Sequence, residues 1–244
     1  MLLNDSTHAF NHNLSIVALL PIKAQSERVK GKNFREFHGK PLFTWILEVL
    51  TSLIEINQIV INTDARSILL DRGLCESNRL KIRVRKPDLC GDAVSMNKIL
   101  ADDIAAVPAD LYLMTHTTNP LLSAKTIQRA LRDFVGARDA GNADSLFAVN
   151  RFQTRFYRED ASPINHDPQN LIPTQNLEPW YEENSNLYLF TAESFAATGA
   201  RIGQHPLMFE TPRLESVDID TLEDWQLAEA IAQYFSRHPL SSNS

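Results

Sequence analysis

A layered α/β domain built on a mainly parallel sheet is what this sequence predicts. Short apolar runs alternate with helical patterns along most of the chain, the signature of strands joined by crossover helices. At 244 residues the chain can bury a large core. Its composition, 43% apolar and 22% charged, is that of an ordinary globular protein.

The elements follow in order. Residues 15–22 (SIVALLPI) read as a buried strand. Pro41 opens a helix at its first turn (PLFTWILEVLTSL), where a missing N–H costs nothing. Residues 58–62 (QIVIN) and 80–84 (LKIRV) read as strands and 95–106 as a helix. A fourth strand covers 110–114. The helix over 123–138 places Ile127, Ala130, Leu131 and Phe134 on one face. Strands at 144–149 and 186–190 complete the sheet. Between them, 150–184 is polar, holds Pro163, Pro168, Pro173 and Pro179, and breaks the rhythm. An irregular segment of that length is usually functional or covered by a partner. The final helix carries a capping-box pattern at Thr221 and Asp224 and an apolar face of Leu222, Trp225, Leu227, Ala228, Ile231 and Ala232. The first dozen residues and the closing HPLSSNS read as loose tails. The whole reads as one domain over 1–244.

Charge and cysteine content exclude several classes. A net charge of −6 argues against general nucleic-acid binding, so any bound phosphate needs a local cationic pocket. Cys75 and Cys90 fit neither a disulfide framework nor a zinc motif. The polar N-terminus is not a signal peptide, and no apolar run is long enough to span a membrane. The expected compartment is the cytoplasm, which makes the NxS sites at Asn4 and Asn13 chance occurrences.

Ligands of parallel α/β sheets sit beyond the carboxyl ends of the strands, so the loops after Ile22, Asn62 and Met114 hold the candidates. The first, PIKAQSERVKGKN (21–33), crowds Lys23, Arg28, Lys30 and Lys32 around Gly31, with Glu27 as the local counter-charge. A polyphosphate would relieve their repulsion; a solvated basic loop is the plainer reading. It is neither a Walker A loop nor a GxGxxG turn. The second, ESVDIDTLEDW (215–225), puts Asp218 and Asp220 on one side of an extended segment. Such a pair suits Mg²⁺, which takes one or two carboxylates plus substrate phosphates. Alternatively one Asp caps the helix and the other is merely exposed. His116 can hydrogen-bond a ligand or serve structure. Asp64 reads as a helix N-cap. Arg85 and Lys86, near Asp88 and Asp92, hold a nucleotide or cover the surface. Trp45, Trp180 and Trp225 read as core or interface residues.

Taken together, PIKAQSERVKGKN, HGKPLFTWILEVL, IVINTDAR, RKPDLCGDAVSMN, THTTNPLL, YEENSNLYLF and ESVDIDTLEDWQLAEA resemble the acylneuraminate (CMP-sialic acid) cytidylyltransferases, with a secondary likeness to the 3-deoxy-manno-octulosonate cytidylyltransferases. The likeness runs from Ile16 to Gln233. It implies a Rossmann-like, three-layer nucleotidyltransferase fold bearing a small dimerisation arm at about 150–185. It also implies a reaction, attack by a 2-keto sugar acid's anomeric hydroxyl on the α-phosphate of CTP with loss of pyrophosphate. By position, Lys23, Arg28 and Lys32 would hold the triphosphate and Asn33 would lie beside the nucleotide. Arg85, Asp88 and Asp92 would approach base and ribose, His116 and Asn119 would face the sugar, and Asp218 and Asp220 would ligate Mg²⁺. The implied partners are CTP, an acidic 2-keto sugar and a second copy of the chain. A related enzyme for another sugar acid, or a catalytically silent nucleotide-binding relative, are the alternatives. The chain departs from the sialate pattern at Lys23, where that family usually has Arg. It departs again at His116-Thr117-Thr118-Asn119-Pro120-Leu121, where the family has Gln-Pro-Thr-Ser-Pro-Leu, and at Thr174, where a basic residue is common. These changes fall on the sugar side or in the arm. Ser26-Glu27-Arg28 is closer to the octulosonate type, the VDID and TTNP segments to the sialate type.

Overall fold

A computed structural model describes residues 14–26 and 28–237. Both predicted tails, the two NxS sites and Glu27 lie outside the described residues. In chain order the elements are β1 (Ile16–Leu19), β2 (Glu36–Phe37), β3 (Lys40–Pro41), α1 (Leu42–Ser52), β4 (Gln58–Thr63), α2 (Arg66–Asp71), β5 (Leu80–Val84), α3 (Met96–Ala106), β6 (Leu111–Met114), α4 (Ala124–Asp139), β7 (Ser145–Phe152), β8 (Trp180–Phe190), α5 (Ala192–Thr198), β9 (Pro206–Glu210) and α6 (Leu222–Arg237).

Seven strands form one sheet in the order β5-β4-β1-β6-β8-β7-β9, and β2 pairs with β3 in a separate hairpin. β5, β4, β1 and β6 are mutually parallel, and β8 runs against both β6 and β7. Both faces are covered, which is why β1 and β6 read as unbroken apolar runs. Ile16, Ala18, Leu111 and Leu113 face one core with α1 and α4; Val17, Leu19, Tyr112 and Met114 face the other with α3 and α5. This is the predicted three-layer α/β fold. The chain goes from β1 outward to β4 and β5, then returns to place β6 on the other flank of β1, making a switch point whose crevice opens at the carboxyl ends of these strands.

Several expectations shift. Pro41 is the N-cap of α1 rather than its first helical residue. The strand expected at 186–190 is the end of an eleven-residue β8, and β7 runs on to Phe152. Residues 150–152 and 180–184, expected to be irregular, therefore belong to paired strands, and the irregular arm narrows to 153–179. The capping box at Thr221 and Asp224 is present, with Thr221 N donating to Asp224 Oδ2 at 2.7 Å and Asp224 N to Thr221 Oγ1 at 3.2 Å. Leu222 and Leu227, however, are exposed, because α6 packs along the narrower stripe Trp225, Ala228 and Ala232. Cys75 and Cys90 are free thiols. Trp225 is a core residue, Trp45 packs against the same cluster, and Trp180 stands half-open at the start of β8, stacked on Phe156 of the arm.

A third, smaller cluster decides where the site lies. Val29 from the first loop, Leu121, Ile219 and Trp225 pack together with Phe37 and Leu42. Burying an aliphatic side chain of this size contributes about 1.5–3 kcal/mol. The cluster thereby draws the loop after β1 and the segment before α6 onto one edge of the sheet.

Candidate active site

At the switch point lies a cavity of about 340 Å³. It is bordered by Lys23, Arg28 and Lys32 from the first loop, Arg85 and Asp92 from the stretch after β5, His116 after β6 and Asp220. Gly31, in the left-handed conformation with φ +61°, turns the first loop into a short 3₁₀ turn at Lys32–Phe34. An L side chain there would be strained. The turn buries Lys32 and Asn33. Lys32 Nζ donates to the Ile219 carbonyl at 2.5 Å and lies 3.2 Å from Asp220 Oδ1. Arg28 Nη1 approaches Asp220 Oδ2 to 2.8 Å. The cationic loop and the late carboxylates, nearly two hundred residues apart in sequence, thus meet at one point. Lys23 Nζ pairs with Asp92 Oδ1 at 3.0 Å across the mouth. Lys30, the fourth cation of the loop, is exposed and does not border the cavity.

The loop after β6 supplies the floor. Thr117 Oγ1 donates to Asn33 Oδ1 at 2.6 Å, and Asn33 Nδ2 to the Lys23 carbonyl at 2.8 Å, so Asn33 braces the loop while bordering the cavity. Partly buried, His116 has its pKa pushed down to about 3, chiefly by desolvation, then by the nearby positive charges of Arg201 and Lys32. A neutral imidazole of that kind can exchange hydrogen bonds but is a poor base.

The segment carrying Asp218 and Asp220 has no regular secondary structure and is not a strand of the sheet. Buried Glu215 anchors it by accepting from Ser123 N at 2.9 Å, at the start of α4. Ile219 N donates to the Thr118 carbonyl at 2.9 Å. Asp218 is held above the usual carboxylate range, first by burial and then by Asp220, against a lowering hydrogen bond from Thr118. Its buried Oδ1 has no hydrogen-bond partner among the described residues. Two crowded carboxylates, one with a buried unpaired oxygen, fit a hard cation that takes few protein ligands. No cluster of three or more His, Cys, Asp or Glu suited to a metal occurs among the described residues.

Three nominated residues stand apart from the cavity lining. Asn119 is fully buried, with Nδ2 on the Val217 carbonyl at 3.4 Å, and acts as a strut beneath the segment. Asp88 is exposed on the 3₁₀ turn Pro87–Leu89. Asp218 does not border the cavity. Asp64 corrects another expectation: Ala65 is the N-cap of α2, and Asp64 Oδ1 instead accepts from Ala24 N at 2.7 Å, pinning the cationic loop to the end of β4. The sequence reading also missed Asn62, Asp103 and Glu215. Their signal was polar identity at buried positions of otherwise apolar patterns.

The comparisons with known proteins make this chain a nucleotidyltransferase. The chain belongs to the family described as Cytidylyltransferase, which it matches over residues 17–239. It is 22% identical over 226 residues to the pseudaminic acid cytidylyltransferase of Campylobacter jejuni, covering 88% of this chain and 95% of that protein. It is 25% identical over 228 residues to the CMP-N,N'-diacetyllegionaminic acid synthase of Legionella pneumophila, covering 90% and 97%. Among solved structures, a CMP:2-keto-3-deoxy-manno-octonic acid synthetase complexed with CTP shares the fold at a TM-score of 0.61 and 15% identity, covering 90% of this chain and 99% of that one. No helix among the described residues is long and apolar enough to cross a membrane.

Proposed function

We propose that this chain activates an acidic 2-keto sugar of the nonulosonic class by transferring CMP to it from CTP, releasing pyrophosphate. The observation that carries this reading is the meeting of Arg28 and Lys32 with Asp220 in one cavity at the switch point. Nucleotidyl transfer asks little covalent help of a protein; it asks for in-line placement and stabilisation of phosphate charge. Lys23, Arg28 and Lys32 supply fixed positive charge for the triphosphate. Arg28 and Lys32, held by Asp220 in the free protein, exchange part of that pairing for phosphate oxygens. Asn33 and Arg85 border the nucleotide, with Asp92 at the mouth; Asp88, exposed nearby, is less well placed. His116, neutral and bordering the cavity, gives the acceptor sugar a hydrogen-bonding group. Asp218 and Asp220 would hold Mg²⁺. Bound there, the ion would supply Lewis-acid charge stabilisation and lower the pKa of the attacking hydroxyl.

The test is pyrophosphate release with CTP and a panel of sialic, pseudaminic, legionaminic and 3-deoxy-manno-octulosonic acids, with and without Mg²⁺. Release with one nonulosonic acid, abolished by EDTA and restored by Mg²⁺, is the expected result. CTP binding without release on any acid would leave the chain a silent relative, and release only with the octulosonic acid would move it to that substrate.

The arm over 153–179 and its flanking strand ends is proposed to seat a second copy. Tyr157, Leu171, Ile172, Trp180 and Tyr181 are all exposed there, an apolar concentration that a monomer rarely leaves in water. Sedimentation of the full chain should give a dimer, and Trp180→Glu with Leu171→Glu should give monomers. A wild-type monomer at micromolar concentration would end this part of the reading.

A further inference from the structure

Behind Arg85, on the cavity wall, lies a set of buried polar groups to which the proposed transfer assigns no role. Arg85 is 3% exposed yet borders the cavity. Its Nε donates to Asn62 Oδ1 at 2.9 Å; its Nη2 donates to the carbonyls of Asn62 at 2.8 Å and Ile22 at 3.2 Å. Nη1 is left buried with no acceptor among the described residues. A charged donor kept from water without an acceptor is costly, so a ligand acceptor is what would satisfy it.

Asn62 is itself buried on β4, on the face that packs against α3. Its Nδ2 donates to Asp103 Oδ1 at 2.8 Å. Asp103 is fully buried on the stripe of α3 that also carries Ile99 and Leu100, a place where an aliphatic side chain would pack without penalty. Arg83 pairs with Asp103 and, at 2.9 Å, with Asp102, which Lys86 also contacts.

The chemistry of these groups is directional. A carboxylate can only accept, so Asp103 forces the Asn62 amide to present Nδ2 to it and Oδ1 to Arg85. The opposite flip would set an N–H of Asn62 against the Nε–H of Arg85. We infer that Asp103, acting through Asn62, is a positioning residue that fixes the Arg85 guanidinium so that its free Nη1 meets an acceptor oxygen of the bound nucleotide. This rests on the reading of the cavity as the CTP site.

A double-mutant cycle on CTP affinity tests it, with thermal melting as the fold control. Arg85→Ala should weaken CTP binding about 10- to 100-fold, the scale of a hydrogen bond to a charged group. Asn62→Leu should weaken it about 10-fold and Asp103→Leu, which removes the acceptor, about 5-fold, each less than about twofold once Arg85 is Ala, since coupled residues are non-additive. Equal losses in both backgrounds would show a general structural role and overturn the inference. Wild-type CTP affinity in a folded Asp103→Leu variant would overturn it as well, while leaving the CTP site standing if Arg85→Ala still binds poorly. Unchanged CTP affinity in Arg85→Ala would remove both the positioning role and the nucleotide reading. Should Asn62→Leu fail to fold, Asp103→Leu carries the cycle alone.

Discussion

Two charge clusters sit on the same sheet's flanks and behave as opposites. The front cluster, Arg28 and Lys32 on Asp220, lies at the cavity mouth. The Arg28 side chain there is 67% exposed and that of Asp220 36%. The rear cluster, Arg83 with Asp102 and Asp103, is enclosed between β5 and α3, with Asp103 only 1% exposed. Exposed ion pairs contribute about 0–1 kcal/mol, so the Arg28–Asp220 pair is readily exchanged for a polyanion, while Lys32, its side chain 9% exposed, stays anchored on the Ile219 carbonyl. The rear pairs cannot trade partners, because each buried charge there would be left uncompensated. Pairing alone therefore does not say what a cluster is for. Burial decides whether an ion pair is a displaceable placeholder or a fixed part of the frame. Asp103 is raised above the usual carboxylate range by burial, which Asn62 and Arg83 offset only in part, so the frame keeps it at a cost.

The contrast can be broken at several points. Asp220→Asn should lower turnover by more than about 10³-fold, beyond the loss of a single electrostatic donor, with the melting temperature little changed. Wild-type pyrophosphate release in excess Mg²⁺ would refute the metal assignment. Arg83→Leu should do the reverse, costing about 3 kcal/mol in urea unfolding, the low end for a broken buried pair because Arg83 is partly exposed. A change below about 1 kcal/mol would mean that the rear cluster is not a frame. For Lys32→Ala the expected loss is about 10²- to 10³-fold in kcat, with the fold retained.

The smallest effect is a pH dependence at His116. Its folded pKa, about 3, lies below the ordinary 6.5, so between these values the unfolded chain binds more protons. The stability this contributes is complete above about pH 6.5 and is lost as pH falls towards about 3. His116→Gln should flatten that part of the stability profile, leaving pH 7.5 nearly unchanged. An NMR titration showing His116 protonating near pH 6.5 would contradict it.

How much was legible depended on how local the cause was. The strands β1, β4 and β6 and the helices α1, α3 and α4 were readable because burial on one or both faces writes itself into consecutive residues, and β5, where only Ile82 is buried, was readable from the apolar alternation Leu80, Ile82, Val84. The hairpin β2–β3 and the short helices α2 and α5 were missed, since strands of two residues and helices of fewer than two turns carry too little period. In β9 only Phe209 is buried, which leaves little pattern to read. Leu222 and Leu227 misled because apolar identity does not by itself mean burial. At the site, the cationic loop and the carboxylate pair announced themselves by crowding like charges. Asp64 and Asn119 did not declare their roles, since an Asp after a strand caps a helix as readily as it pins a loop.

The sequence by itself determined the alternation of strands and helices, the class of sheet and the two charged segments, since each follows from residues close along the chain. Only the tertiary structure decided that those segments meet. That meeting depends on Val29 and Ile219 sharing one small apolar cluster and on Glu215 reaching the start of α4. Such contacts join residues far apart in the chain, and no local pattern records them.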